Sequence, residues 1–259
     1  TLLASSAASD VYKRQAENTK PYFDLMYETV QSILAKSGHI NHKYLKESES
    51  DKKAVIVVTA NRGLAGGYNS NITRMIIDEG FTKENTVVYA VGKKGRELLE
   101  RKGYEIKADY SEAINDPIYK DAKEICDDVL SAFADGEVGE IYLAYTVFKN
   151  TVVHEPQLIR LLPVEADDAA HETDGSEALM TYEPSEEEAL DMIIPKYVCS
   201  LVYGALIESV ASENGARMQA MDSATSNAEE MISTLSLKYN RARQASITQE
   251  LTEIIAGAN

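Results

Sequence analysis

Apolar residues recur at spacings of three and four through Tyr22, Phe23, Met26, Val30, Ile33 and Leu34. That spacing predicts one buried helix face, and Gly38 is placed to stop the helix. His39 to Lys53 is polar and charged, and reads as a loop or a fraying helix end. The pattern then changes. Ala54 to Thr59 is a β-branched run, apolar on both faces, which suits a parallel strand covered on both sides. A glycine loop comes next, then a helix from about 70 to 79 with Gly80 as its stop. Thr86 to Val91 predicts a second buried strand, and Lys93 to Lys102 a second helix ended by Gly103. Asp116 and Pro117 read as a cap and a first helical position. They open a helix to about Ala134, ended by Asp135 and Gly136. Glu140 to Phe148 is a third strand and Gln157 to Val164 a fourth, joined by a link short enough for a hairpin. Strands alternating with helices predict an α/β domain with a mostly parallel sheet over 52–165.

From Lys196 to Ala256 the pattern is helical almost without interruption, and Pro195 begins or kinks that helix. Sixty residues of helix span roughly 90 Å, far more than a usual globular helix. Met218, Met221, Thr225, Ala228, Ile232, Leu235, Tyr239 and Ala242 step alternately by three and four. That is a heptad seam, which calls for a coiled-coil partner. Beyond Ala242 the apolar positions move to Ile247, Leu251, Ile254 and Ile255, so the last turns face a different environment. Residues 196–259 thus read as a long C-terminal coiled-coil helix. Residues 16–51 read as the remnant of an N-terminal one, whose stretch 16–36 covers only about 30 Å. The missing length suggests that the native chain begins upstream. Residues 1–15 fit poorly with the rest of the chain. Their end, Asp10-Val11-Tyr12-Lys13-Arg14-Gln15, is what a transposon end used in sequencing libraries encodes in one frame. They read as a non-native segment outside the fold.

The 259 residues hold 26 Lys and Arg against 42 Asp and Glu, a net charge of −16. That speaks against nucleic acid, which needs a basic face. The acidity is local. Residues 165–191 carry eleven carboxylates and no Lys or Arg, and without them the charge is −16 + 11 = −5. Residues 166–195 read as an acidic linker and helix start, with Ser185 capping and Glu186 to Glu188 favouring the dipole. A hydrophobic share of 44% supplies a core. No apolar run nears the roughly 18 residues of a membrane span, and no secretory signal is visible. Cys126 and Cys199 fall in helical segments, which points to buried free thiols of a reducing compartment. His39 and His42 are three apart but lack partners at zinc spacing, so no metal is expected. No Ser-His-Asp or Cys-His set can be read, so no catalytic residue and no cofactor are expected.

The loop Asn61-Arg62-Gly63-Leu64-Ala65-Gly66-Gly67-Tyr68-Asn69 sits between strand and helix, where a phosphate cradle would lie. Its glycines match neither G-x-G-x-x-G nor a Gly-Lys-Ser/Thr loop. A tight turn is the plainer reading. The alternatives are a nucleotide-binding enzyme domain using Gly63 to Gly67, or a generic coiled-coil scaffold.

Ser212-Glu213-Asn214-Gly215-Ala216-Arg217-Met218-Gln219-Ala220-Met221, running on to Asn227-Ala228, resembles the SE-x-A-ARM-x-AM-x-x-A-T-x-NA signature of the gamma subunit of F-type ATP synthase. Tyr239 to Ile254 is similar to that family's closing YN-x-x-RQ-x-xIT-x-E-L/I-xEI series. Thr59 to Asn69 resembles its S-D-RGL-C/A-GG-x-N loop, with Ala60-Asn61 in place of the usual pair. Lys20-Pro21-Tyr22-Phe23 and Thr181-Tyr182-Glu183-Pro184 also resemble family segments. The resemblance covers about 16–259 and fails at 1–15, where the family carries its K-I-T-x-A-M helix.

The resemblance implies a Rossmann-like domain inserted between N- and C-terminal helices that form an antiparallel coiled coil. It implies a non-catalytic rotor shaft that couples proton flow to ATP synthesis. The implied partners are the alpha and beta subunits of the head, the epsilon subunit and the c-ring, with no nucleic acid and no small-molecule substrate. The implied place is the cytoplasmic face of a bacterial plasma membrane, peripheral as part of the head. Arg243, Gln244, Thr248 and Glu250 match the polar series that meets the beta subunit's acidic catch loop. Met218, Met221, Ala228, Ile232, Leu235, Tyr239 and Ala242 are the coil seam.

Overall fold

The computed structural model describes residues 25–26, 29–30, 42–45, 50–150, 153–164 and 185–258. The chain divides into two units, Thr1–Met218 and Gln219–Asn259. The elements are β1 (Lys53–Val58), α1 (Tyr68–Asp78), β2 (Thr86–Val91), α2 (Lys93–Arg101), β3 (Glu105–Asp109), α3 (Tyr119–Ala134), β4 (Glu140–Phe148), β5 (His154–Leu162) and α4 (Glu186–Gly257).

The five strands lie in the order β3-β2-β1-β4-β5. β1 pairs in parallel with β2 and β4, β2 in parallel with β3, and β4 antiparallel with β5. The unbroken apolar run of β1 is explained by its central place, since successive side chains point to opposite faces. Ala54, Ile56 and Val58 join a core with Ile125 and Val129 of α3 and Val198, Val202 and Leu206 of α4. Val55 and Val57 face Ile72 and Ile76 of α1 and Leu99 of α2. The expected hairpin is β4–β5, and Pro156 sits in its edge strand, where a missing N–H costs least.

Several elements differ from those the pattern predicts. β3 is an added strand, hidden because an edge position alternates exposed and half-buried residues, Glu105, Lys107 and Asp109 among them. α1 begins at Tyr68, two residues before the predicted start. α3 does not start at Asp116 and Pro117: Ile118 holds the cap position, and the Asp121 carboxylate accepts its N–H at 3.1 Å. β5 begins at His154 and ends at Leu162, not 157–164.

α4 starts ten residues before Lys196 and carries Pro195 inside it. Ser185 is its cap, with its hydroxyl oxygen accepting the Glu188 N–H at 3.2 Å. Proline removes one intrahelical bond. The burial of Leu190 and Ile194 on one side and Val198 on the other offsets that loss. Gly80 and Gly103, the two predicted stops, have φ of +81° and +88°, which glycine adopts without strain.

Candidate functional site

In the first unit the order of the sheet reverses between β1 and β4, because the chain builds β1, β2 and β3 outward and then returns. The carboxyl end of such a junction is where α/β sheets bind ligands. Here it is filled by α4. The Tyr68 hydroxyl donates to the Ser209 carbonyl at 3.0 Å, and the Ser212 hydroxyl donates to the Thr146 carbonyl at 3.2 Å. Ala216 packs against Ala60, Ala65 and Tyr68. Arg217 donates to the Gly63 carbonyl at 3.4 Å and pairs with Glu213 at 2.6 Å. The loop therefore offers a carbonyl to a cation, the reverse of the converging amides an anion needs.

The loop is also tied internally. The Asn69 side-chain Oδ1 accepts the Ala60 N–H at 2.9 Å. Asn61 donates to the Ser111 carbonyl at 2.7 Å and to Asn115 at 2.9 Å, and accepts the Lys93 N–H at 2.9 Å. Its amide thus joins the turns after β1, β2 and β3. A carboxylate could not donate the first two bonds, which gives the unusual Asn61 a physical reason. Thr59, fully buried, accepts the Gly95 N–H at 2.9 Å and donates to the Gly92 carbonyl at 3.2 Å. Leu64 has a φ of +62° and is 76% exposed at the tip. Burial, with the nearby Glu213 carboxylate, pushes the Tyr68 hydroxyl well above its ordinary pKa. That group stays a neutral donor.

Met218 is half-buried in the first unit. In the second unit Met221 is half-buried, while Ala228, Ile232, Leu235, Tyr239 and Ala242 are exposed. Ile232 and Tyr239 are 64% and 67% exposed. The seam is an apolar stripe, open to solvent, on a helix. Arg243, Gln244, Thr248 and Glu250 are helical and exposed, and the Thr248 hydroxyl donates to the Gln244 carbonyl at 2.8 Å. Gln244 and Thr248 stand four apart and Arg243 and Glu250 seven apart, so each pair shares a helix stripe. The N-terminal partner expected over 16–36 falls almost wholly outside the described residues, as do 1–15 and His39.

His42 is buried, and its Nε2 donates to Asp191 at 3.2 Å while its Nδ1 accepts the Tyr44 N–H. Lys43 reaches the same carboxylate at 2.9 Å and holds the Asp191 pKa below its ordinary value. Cys126 and Cys199 are both buried and free. Among the described residues, no group of three or more His, Cys, Asp or Glu could hold a metal ion. Pattern reading missed Ser209, Ser212 and Thr146. For the two serines the one signal was small polar residues inside an apolar helical run; Thr146 lies on β4.

A family model described as ATP synthase matches residues 2–259, a span that includes residues 2–15. The ATP synthase gamma chain of Lachnoclostridium phytofermentans is 64% identical over 263 aligned positions, covering 99% of this chain and 90% of the relative. A gamma chain of Acetobacterium woodii, described as sodium ion specific, is 41% identical with the same two coverages. Among solved structures, the central stalk and c-ring of Tetrahymena thermophila mitochondrial ATP synthase holds a similar fold. Its TM-score is 0.57 at 23% identity, over 86% of this chain and 99% of that one. Euglena gracilis mitochondrial ATP synthase gives 0.59 at 18% identity, over 99% and 93%. With identity of this extent spread over nearly the whole length, this chain belongs to the gamma-chain family of ATP synthases.

Proposed function

We propose that this chain is the central rotor shaft of an F-type ATP synthase, coupling ion flow through the membrane sector to ATP synthesis in the alpha and beta head. The observation that carries the reading is the 64% identity to a gamma chain over 99% of the sequence. The exposed heptad stripe from Ala228 to Ala242 supports it, because a torque-bearing rod needs a helix with a partner along its length.

The chain is non-catalytic in this reading. Its work is to turn, so that the catalytic sites of the beta subunits change affinity in sequence. The α/β unit sits by the epsilon subunit and the c-ring, on the cytoplasmic face of a bacterial plasma membrane. Torque transmission by a rod does not depend on which ion drives it, so the sodium-specific relative fits the same mechanics.

At the tip, Arg243 donates a bidentate, charge-assisted contact to a carboxylate of the beta catch loop, with Gln244, Thr248 and Glu250 beside it. Lysine cannot reproduce that fork. The test is ATP-driven ion pumping by the assembled enzyme with Arg243→Ala, Arg243→Lys or the wild-type residue. Alanine should lower pumping most and lysine less. Arg243→Ala with Gln244→Ala should also reduce assembly. The purified chain alone should hydrolyse no ATP. Wild-type pumping by Arg243→Ala would overturn the tip assignment, and magnesium-dependent hydrolysis by the chain alone would overturn its non-catalytic role.

A further inference from the structure

Two recesses lie side by side at the β3 edge of the sheet, on the face that α3 covers. The first, of about 370 Å³, is lined by Lys52, Glu105, Lys107 and Glu137. The second, of about 230 Å³, is lined by Asp128 and Asp135 and again by Lys107 and Glu137. The shared residues join them into one trough. Its floor is apolar: Val87 and Val138 in the first recess and Ala132 in the second are buried. Tyr89 lines both recesses and is only 2% exposed. Among the described residues, its hydroxyl has no hydrogen-bond partner. A buried polar group left unmet costs free energy, so this one invites a partner from outside the chain. Burial raises the Tyr89 pKa, so the phenol stays neutral and its oxygen can accept a hydrogen bond.

Two ammonium groups face four carboxylates across the trough, so it favours a cation. Lys107 is already matched by Glu137 at 3.0 Å, and the Asp128 carboxylate accepts the Tyr110 hydroxyl. Glu105 and Asp135, one in each recess, make no ion pair among the described residues. These carboxylates do not converge on a point, and no group of three or more His, Cys, Asp or Glu among the described residues could hold a metal ion. A cation whose charges are spaced along an apolar chain fits where a metal ion does not. We propose that the trough binds a linear aliphatic polyamine, with ammonium groups at both ends and a secondary amine between them. One terminal ammonium pairs with Glu105 and the other with Asp135. The methylenes lie on Val87, Val138 and Ala132, as the stems of lysine side chains lie on apolar surface. The inner N–H donates to the Tyr89 oxygen. The rotor reading assigns the trough no task.

The test titrates the full chain with spermidine at physiological salt, by calorimetry for affinity and by hydrogen exchange for place. The place matters because residues 165–191, with eleven carboxylates, attract any polycation. Spermidine should slow exchange in peptides spanning 86–91, 105–109 and 128–138. Tyr89→Phe keeps the ring and should weaken binding about fivefold, the loss of one hydrogen bond. Glu105→Gln with Asp135→Asn should weaken it about tenfold. Propylamine, with a single ammonium group, should give no protection at the same concentration. The wild-type protection map stands without the variants. Protection confined to 165–191, or wild-type affinity in both Tyr89→Phe and the Glu105→Gln, Asp135→Asn pair, would make spermidine a counterion of the acidic stretch and overturn the site. Equal protection of the trough by magnesium chloride would show plain charge screening and overturn the polyamine class.

Discussion

Tyr68, the first residue of α1, donates its hydroxyl to the backbone carbonyl of Ser209 on α4 at 3.0 Å, across 141 positions of chain. Both residues are buried. The bond fixes the glycine loop against the long helix at the place where related folds hold a ligand. Removing a buried donor costs its net hydrogen bond, about 1 kcal/mol. Removing the ring leaves a cavity and costs about 3–5 kcal/mol. Urea unfolding should therefore rank wild type, Tyr68→Phe and Tyr68→Ala in falling stability. Equal midpoints for wild type and Tyr68→Phe would show that the hydroxyl contributes nothing.

Thr59 leaves no space around the turn after β2. A Cβ on Gly95 would lie 2.5 Å from the Thr59 hydroxyl and 2.8 Å from its methyl. Gly95→Ala should cost about 1–3 kcal/mol by overpacking. Thr59→Ala should recover part of that loss, since the obstruction is a side chain. Gly92→Ala meets the Thr59 backbone carbonyl at a φ of +110°, so Thr59→Ala should not rescue it. A double-mutant cycle by thermal melting separates the two cases. Equal rescue of both would refute this account of the turn.

Asp191 titrates in the fold below its ordinary 3.8, mainly through its hydrogen bond to Lys43. A depressed carboxyl adds stability that is complete above the ordinary value and lost as pH falls through the lower one. Asp191 is 48% exposed, so its contribution is about 0.5 kcal/mol after screening. Asp191→Asn keeps an acceptor for His42 and removes the charge. Denaturant midpoints should differ at pH 7 and converge by about pH 2. A gap that persists in acid would mean that packing, not charge, sets the effect.

Much of this fold is legible in the residues, for reasons that differ by element. β1 and β2 announce themselves because both faces are buried, which leaves little place for polar residues. β3 does not, because Glu105, Lys107 and Asp109 are what an edge requires. The start of α4 is obscured by Pro195 and the carboxylates before it, while its cap at Ser185 is plain. The seam is readable from spacing alone. From Ala228 to Ala242 its residues are exposed within the second unit. Arg243 and its neighbours stand out only through family resemblance. An exposed helix residue is defined by what another chain brings to it. The Asn61 network depends on three turns that no local pattern joins.

The most direct test of the rotor reading is to watch the chain turn. A complex of this chain with alpha and beta subunits is fixed by its beta subunits, and a bead is attached to the α/β unit of this chain. On addition of magnesium and ATP the bead should rotate in one direction, and stop when ATP is removed. A complex that hydrolyses ATP while the bead stays fixed or only fluctuates would contradict the assignment of this chain as the shaft.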